Sequence, residues 1–388
     1  MRSFWRNCQK SPKSKQINCE NLCKMFGYNP SDYEVRAELA TCCNGIASVY
    51  LAKHTSGQLV AMKKFRMDRA KEESISIRDE ILIMRQFNHP NILSFFTAFV
   101  DNFDVFVIAP FMPFRSCRDT MTNSCVTGFP EVIVVLILKD ILHGLEYLHK
   151  KGFIHRAIRA SHILLDHDRA VITGFRQATS LLSHGERVRS LHNLPANSTK
   201  GLIWLAPELL EQDLLGYTEK SDIYSVGITT CELCNGIEPF ANMPTTFMLT
   251  EKIRGNQPTL LDFSTCPTED MIVQGLDPSD TFMAQTRQIY GQKKLSDNIH
   301  KFAEVCMQRI YQESLIASCR QPIDRPNVSQ LFNHPVFKQT KHTSLSEQLT
   351  NYGIQAVDYS QHCDENLKLV QDLSDMNLSA GSAFEWDF

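Results

Sequence analysis

Three short stretches hold the residues whose types could do chemistry. In "VAMK" (60–63) Lys63 closes an apolar run, and Glu80 follows downstream. In "FIHRAIRASHILL" (153–165) His155, Arg156 and His162 stand around Ala157, and in "TGFR" (173–176) Arg176 follows Gly174. A lysine and an arginine can meet phosphate oxygens, and a carboxylate can orient the lysine, if the fold brings them together. Phosphoryl transfer also needs positioned Mg²⁺, an oriented hydroxyl and neutralisation of the transferred charge. Mg²⁺ prefers hard oxygen ligands, so the imidazole of His162 is a poor partner and Gly174 offers no side chain. Ala157 cannot accept a proton. Loss of a general base alone costs roughly 10²–10⁴ in rate, about 3–5 kcal/mol of barrier.

Other motifs carry less. Cys231 and Cys234 form a C-x-x-C inside a helical pattern with no second pair, which reads as small core residues rather than a zinc site. "LATCCNGIASVYLA" (39–52) places Cys42, Asn44 and Ala47 at the spacing of a phosphate-cradling glycine loop, with Gly45 out of phase. Side chains there hinder the approach of backbone N–H groups to phosphates and weaken nucleotide binding without abolishing it.

The elements that must carry these residues change character along the chain. "HTSG" (54–57) separates two short apolar runs, as in a hairpin. "EESISIRDEILIMRQF" (72–87) spaces Ile75, Ile81, Leu82 and Met84 as one face of an amphipathic helix. "DVFVIAPFM" (104–112) reads as a buried strand. From about 130 helices dominate. "PEVIVVLILKDILHGLEYLHKKG" (130–152) has Pro at its start and Gly at its end, and "SDIYSVGITTCELCNG" (221–236) opens on Ser221 or Asp222 as a cap and closes on Gly236. Residues 256–300 read as a polar, irregular insertion and 339–388 as a tail.

Composition narrows the class. The 388 residues are 43% hydrophobic with a net charge of −3, enough for a large core and without a bulk electrostatic case for nucleic acid or membrane. Thirteen cysteines in no repeating frame read as reduced thiols of an intracellular protein, and with no targeting signal read in the sequence the default expectation is cytoplasmic with nuclear exchange. The longest apolar run, Val132 to Leu138, is far short of a bilayer crossing. Residues 1–19 carry five basic residues and no acid, which reads as a solvated tail in preference to a mitochondrial presequence.

Taken in order, these landmarks resemble a protein kinase from about 33 to 338. "VAMK", Glu80, "HRA" (155–157), "TGF" (173–175), "APE" (206–208), Asp222 in "SDIYSVGI" and Arg325 in "DRP" fall where that fold has its motifs. "ASHILL" (160–165), "GFR" (174–176), "SHGERVR" (183–189), the "APELL" run after Trp204 and "KSDIYSVGIT" (220–229) are more specific, and resemble the sterile-twenty-related adaptor pseudokinases. The resemblance implies an α+β, bilobal protein kinase-like fold. A basic tail (1–32) precedes a small antiparallel-sheet N-lobe with one helix (33–112). A larger helical C-lobe (113–338) and a C-terminal tail (339–388) follow.

The resemblance also assigns roles. Ala157, His162 and Gly174 occupy the positions of the catalytic base and both Mg²⁺ ligands, leaving no catalytic or metal-binding residue. Lys63, Glu80 and Arg176 are the candidate nucleotide-binding residues, for ATP held without Mg²⁺. His155, Arg156, Glu208, Asp222 and Arg325 are structural. The implied function is an inactive adaptor that binds and activates a liver-kinase-B-type Ser/Thr kinase in a heterotrimeric complex. Its third member is a helical-repeat scaffold of the calcium-binding-protein-thirty-nine type. Trp386, Asp387 and Phe388 resemble the family's terminal docking motif, aromatic anchors of a kind that supplies most of the affinity of short peptides. The competing reading is an atypical, weakly active kinase that uses non-standard residues.

Overall fold

A computed structural model describes residues 26–42, 45–68, 73–195, 201–212, 216–241, 243–265, 289–308, 325–340 and 343–356. The chain divides into two compact units, whose described residues are 26–74 with 95–111 and 75–94 with 112–356.

The first unit is a five-stranded antiparallel sheet in the order β1-β2-β3-β5-β4. Its strands are β1 (Tyr33–Cys42), β2 (Ala47–His54), β3 (Leu59–Arg66), β4 (Thr97–Asp101) and β5 (Asp104–Pro110). The expected hairpin joins β2 to β3, where Gly57 supplies the positive φ of the turn (89°) and His54 N–H bonds the Gln58 carbonyl at 2.9 Å. Strand alternation sends Val60 and Met62 to one face, where they meet Phe26, Tyr33, Phe99, Phe106 and Ile108 in a closed core. Burying each such large side chain contributes about 1.5–3 kcal/mol.

The second unit is mainly helical. Helix α1 (Ser74–Met84) buries Ile77, Glu80 and Met84. Ile75 and Leu82, expected on its inner face, are 63% and 50% exposed. Met84 is buried as expected, but the inward stripe runs i, i+3, i+7 through a carboxylate, so apolar counting misplaced Ile75 and Leu82. Helix α2 (Cys117–Ser124) starts at a capping box of Ser116 and Asp119. Helix α3 (Glu131–Lys150) ends before Gly152 and is buried from Ile133 through Leu138. A short strand β6 (Phe153–Ile154) and the hairpin β7 (Ile163–Leu165) with β8 (Ala170–Ile172) frame the loop that carries the chemistry.

Helix α4 (Pro207–Leu210) precedes α5 (Lys220–Asn235), which is buried at every position from Ser221 to Asn235 and so forms the centre of this unit. Its N-cap is Glu219 without a side-chain bond, not Ser221 or Asp222, and Gly236 closes it in the left-handed conformation as expected. Helices α6 (Thr245–Arg254), α7 (Asp297–Met307), α8 (Val328–Leu331) and α9 (Leu345–Asn351) complete the unit.

Two expectations shift. Within 256–300 the described residues are irregular from 256 to 265, but Ser296 caps α7, whose Phe302 and Ala303 are fully buried. Within 339–388, α9 buries Leu345 and Leu349 and is followed by buried Ile354. A three-residue apolar signal was too short to stand out among Ser and Gln. Trp386, Asp387, Phe388, Asn44 and residues 1–25 of the expected tail (1–32) lie outside the described residues, whereas Phe26 near its end is fully buried in the sheet core.

Candidate functional site

The loop between β6 and β7 is built on one buried carboxylate. Asp222, fully buried near the start of α5, accepts the backbone N–H of His155 at 2.9 Å with one oxygen and that of Arg156 at 2.8 Å with the other. His149 Nε2 lies 2.9 Å from the first of these oxygens and, facing a carboxylate, donates to it. Burial by itself raises the Asp222 carboxyl, but the hydrogen bond from His149 and the imidazoles of His149 and His155 outweigh it and hold the group below its ordinary value. A helix cap was thus exchanged for a grip on the loop.

His155 is fully buried. Its Nε2 sits 3.0 Å from the Thr173 carbonyl and its Nδ1 accepts the Ala157 N–H at 3.2 Å, which fixes the neutral Nε2–H tautomer. Burial pushes this imidazole down to about 4, partly countered by Asp222. Phe175, also fully buried, packs edge-on against the His155 ring at 4.8 Å and at a tilt against Phe87 at 5.3 Å. The aromatic that follows Gly174 is therefore seated in the core, the packing that distinguishes active from inactive arrangements at this motif.

Gly174 and His162 share a wall. Gly174 has φ +83°, and a Cβ built there falls 2.6 Å from both Cγ and Nδ1 of His162. The imidazole fills the space that a side chain at 174 needs. Its Nδ1 lies 2.8 Å from the Ala157 carbonyl, which can only accept, and its Nε2 lies 3.0 Å from the Arg159 guanidinium, which can only donate. Both ring nitrogens are engaged by the chain, and neither presents a free lone pair to a cation. The residues at 157, 162 and 174 do not fit the Mg²⁺ that the fold ordinarily employs. Among the described residues no group of three or more His, Cys, Asp or Glu is placed to hold a metal ion.

Arg159 went unnoticed in the sequence. Its guanidinium lies 5.4 Å from the centre of the Trp204 ring, and burial lowers it while Glu232 opposes. Glu232, buried in α5, accepts the Ala160 N–H at 3.0 Å and the Trp204 indole N–H at 2.9 Å, and pairs with Arg118 of α2. Burial raises this carboxyl, with Arg118 opposing. The signal in the sequence was a lone carboxylate in the apolar run of α5.

Arg156 adopts φ +61° and spends its guanidinium on the following segment. It donates to the Gln177 carbonyl at 2.6 Å, the Asn193 carbonyl at 3.2 Å and the Tyr217 hydroxyl at 2.8 Å. Leu191 and Tyr217 exchange both backbone bonds, at 2.9 and 2.8 Å. Arg187 donates to the His149 carbonyl at 3.2 Å and pairs with Glu219 at 2.9 Å. Beyond it Glu208 pairs with the fully buried Arg325 at 2.8 Å, and Arg325 also donates to the Lys220 carbonyl at 2.8 Å.

All of these groups belong to the second unit. Lys63 lies in the first, half-buried on β3 with its ammonium 4.5 Å from the centre of the Phe65 ring. Glu80 is buried on α1 of the second unit, and Arg176 lies beside Phe175 and is half-buried. Cys231 and Cys234 are fully buried in α5, where burial pushes the Cys231 thiol up to about 12 and raises that of Cys234 further.

Comparisons with known proteins agree with this geometry. Residues 44–337 match the protein kinase domain family. STE20-related kinase adapter protein alpha of Rattus norvegicus is 34% identical over 410 residues, spanning 100% of both chains. The alpha protein of Mus musculus is 34% identical over 92% of this chain and 84% of its own length. The beta protein of Homo sapiens is 36% identical over 81% of this chain and 77% of its own. With its kinase domain and its likeness to both alpha and beta forms, the chain belongs to the family of STE20-related kinase adapter proteins.

Proposed function

We propose that the chain is a catalytically inactive kinase-fold adaptor that activates a liver-kinase-B-type Ser/Thr kinase by binding it, together with a helical-repeat scaffold. The observation that carries the reading is the imidazole of His162 against Gly174, which fills the space a side chain at 174 would need and turns both its nitrogens toward the chain. Ala157 adds the loss of a general base. A site without base or metal ligands still folds around Asp222, and its aromatic at 175 is seated. Shape, then, is what the loop and the segment 177–205 have to offer a partner. The relatives' name, kinase adapter, points the same way.

Activation by binding requires only that the adaptor prefers the active conformation of its partner. A few kcal/mol of differential affinity moves such an equilibrium through most of its range. Lys63, Glu80 and Arg176 remain the groups that would hold a nucleotide without metal, the two cations by their charge.

Reconstitution tests the reading. The full chain, or one ending before Trp386, is combined with a live or a kinase-dead partner and the scaffold, and peptide phosphorylation is followed. The adaptor reading expects activity only with live partner and less with the truncated chain. Phosphorylation that persists with the dead partner would instead establish the chain as an enzyme.

A further inference from the structure

Lys252 is a charged side chain with almost no access to water. It projects from α6, is 1% exposed, and carries its ammonium to three backbone oxygens of the segment before α4. Nζ donates to the carbonyls of Leu202 at 3.0 Å, Ile203 at 2.7 Å and Leu205 at 2.6 Å. Three donors meet three acceptors, so the ammonium is saturated by one short run of chain. The face of the Tyr224 ring lies 5.1 Å away, and the same ring is 5.1 Å from the Arg325 guanidinium. The acidic group acting on Lys252 is Glu208, which is paired with Arg325.

This arrangement is costly to bury and has an identifiable return. A lysine side chain in a dry interior is expensive unless every proton finds an acceptor. Carbonyls that converge on one point repel one another unless a cation stands among them. The ammonium thus fixes the turn at 201–205, in which Trp204 N–H also closes on the Gly201 carbonyl at 3.1 Å. Trp204 in turn reaches Glu232, which holds Ala160 of the loop that carries His162.

We infer that Lys252 is a positioning residue for the partner-reading segment: a tethered cation in a cage of three carbonyls that sets the path of residues 201–206. The inference rests on the adaptor reading for its functional half and on the cage alone for its structural half.

The test compares full-length wild type, Lys252→Met and Lys252→Arg by amide exchange and by the activation titration. It is run at pH 6.5 because burial pushes the ammonium down to about 7. Methionine keeps the length and removes all three donors, so amides of 201–206 should exchange about ten-fold faster or more. Half-maximal activation should need about ten-fold more adaptor for the same reason, while the maximum is retained. Arginine, which restores donors, should fall between the two. Unchanged exchange in Lys252→Met, or equal losses with methionine and arginine, would overturn the inference and leave only packing. Faster exchange in Lys252→Met beside a wild type that never activates the partner would support the cage and overturn the adaptor reading. If Lys252→Met does not fold, the wild-type chain decides. A Lys-selective ¹H–¹⁵N spectrum should show one slowly exchanging ammonium that is absent from Lys252→Arg, and its absence from wild type would sink the idea.

Discussion

Arg156 donates to the Tyr217 hydroxyl at 2.8 Å, and that hydroxyl donates onward to the Asn193 carbonyl at 2.7 Å. The guanidinium and the phenol close a chain of bonds between the loop and residue 193 using the protein's own oxygens. Segments of this kind are elsewhere ordered by phosphorylation, through new pairs between arginine and a phosphorylated side chain. Here the oxygens that take up Arg156 come from Gln177, Asn193 and Tyr217.

Arg156→Met should therefore loosen residues 177–193 by about 1–3 kcal/mol, the cost of stranding buried acceptors. Tyr217→Phe should do so by less, since it removes one link and keeps the ring. Amide exchange along the segment measures both. Phosphatase treatment of the wild type should leave the same amides unchanged.

Restoring a carboxylate at position 174 should damage the protein. In Gly174→Asp the new Cβ collides with the His162 ring and the backbone sits at φ +83°, so a loss of about 1–3 kcal/mol is expected from overpacking. The double variant His162→Asn, Gly174→Asp removes the ring and should recover the part of that loss due to the collision, leaving the strain at φ +83°. Thermal melts of the two variants decide. A single variant as stable as wild type would show that the contact between His162 and Gly174 does not constrain the site.

His155 gives the fold an acid limit. Burial holds its native imidazole at about 4 against an ordinary 6.5, so between those values the unfolded chain binds the extra proton and the native one does not. Stability is thus lost as pH falls through this window, and Asp222, also held low, adds to the loss below its ordinary 3.8. Denaturant titrations at pH 7 and pH 5 should show the decline.

Asp140 acts in the opposite sense. Burial raises its carboxyl to about 6, opposed by the Ala170 N–H at 2.8 Å and by Asn91, with Lys139 and Asp168 as charged neighbours. Between its ordinary 3.8 and about 6 the native state binds the extra proton, so this contribution falls as pH rises. Asp140→Asn keeps the acceptor for Ala170 and removes the titration. The variant should be more stable than wild type at pH 7 and should decline more steeply between pH 6 and 4. Matching pH profiles would show that Asp140 is not shifted.

Motif order was legible because it lies in the chain itself. "VAMK", "HRA", "TGF" and "APE", with Asp222 and Arg325, were found by their resemblance to the kinase motifs, and Asp222 accepts the N–H groups of His155 and Arg156. The β2–β3 hairpin was legible from its turn chemistry. Partners far apart in the chain were not. Glu232 with Arg118, Trp204 with Ala160 through that same carboxylate, and Lys252 with three carbonyls are contacts that only the fold creates. Helix α1 was found and Met84 placed correctly, but Ile75 and Leu82 were set on the wrong face, because the inward stripe includes Glu80 and apolar periodicity gives a carboxylate no credit. Strands β1 and β4 were missed: β1 is largely exposed along its length, and β4 is five residues long.

An imidazole bonded to the chain has no dissociation constant. A metal-dependent site samples empty and filled states in proportion to the ion around it, and its shape fluctuates with that supply. Between the Ala157 carbonyl and the Arg159 guanidinium, the ring of His162 is present at every ion concentration. The conformation of this loop is written into the polypeptide as a constant, and what varies in the cell is left to whatever the protein meets.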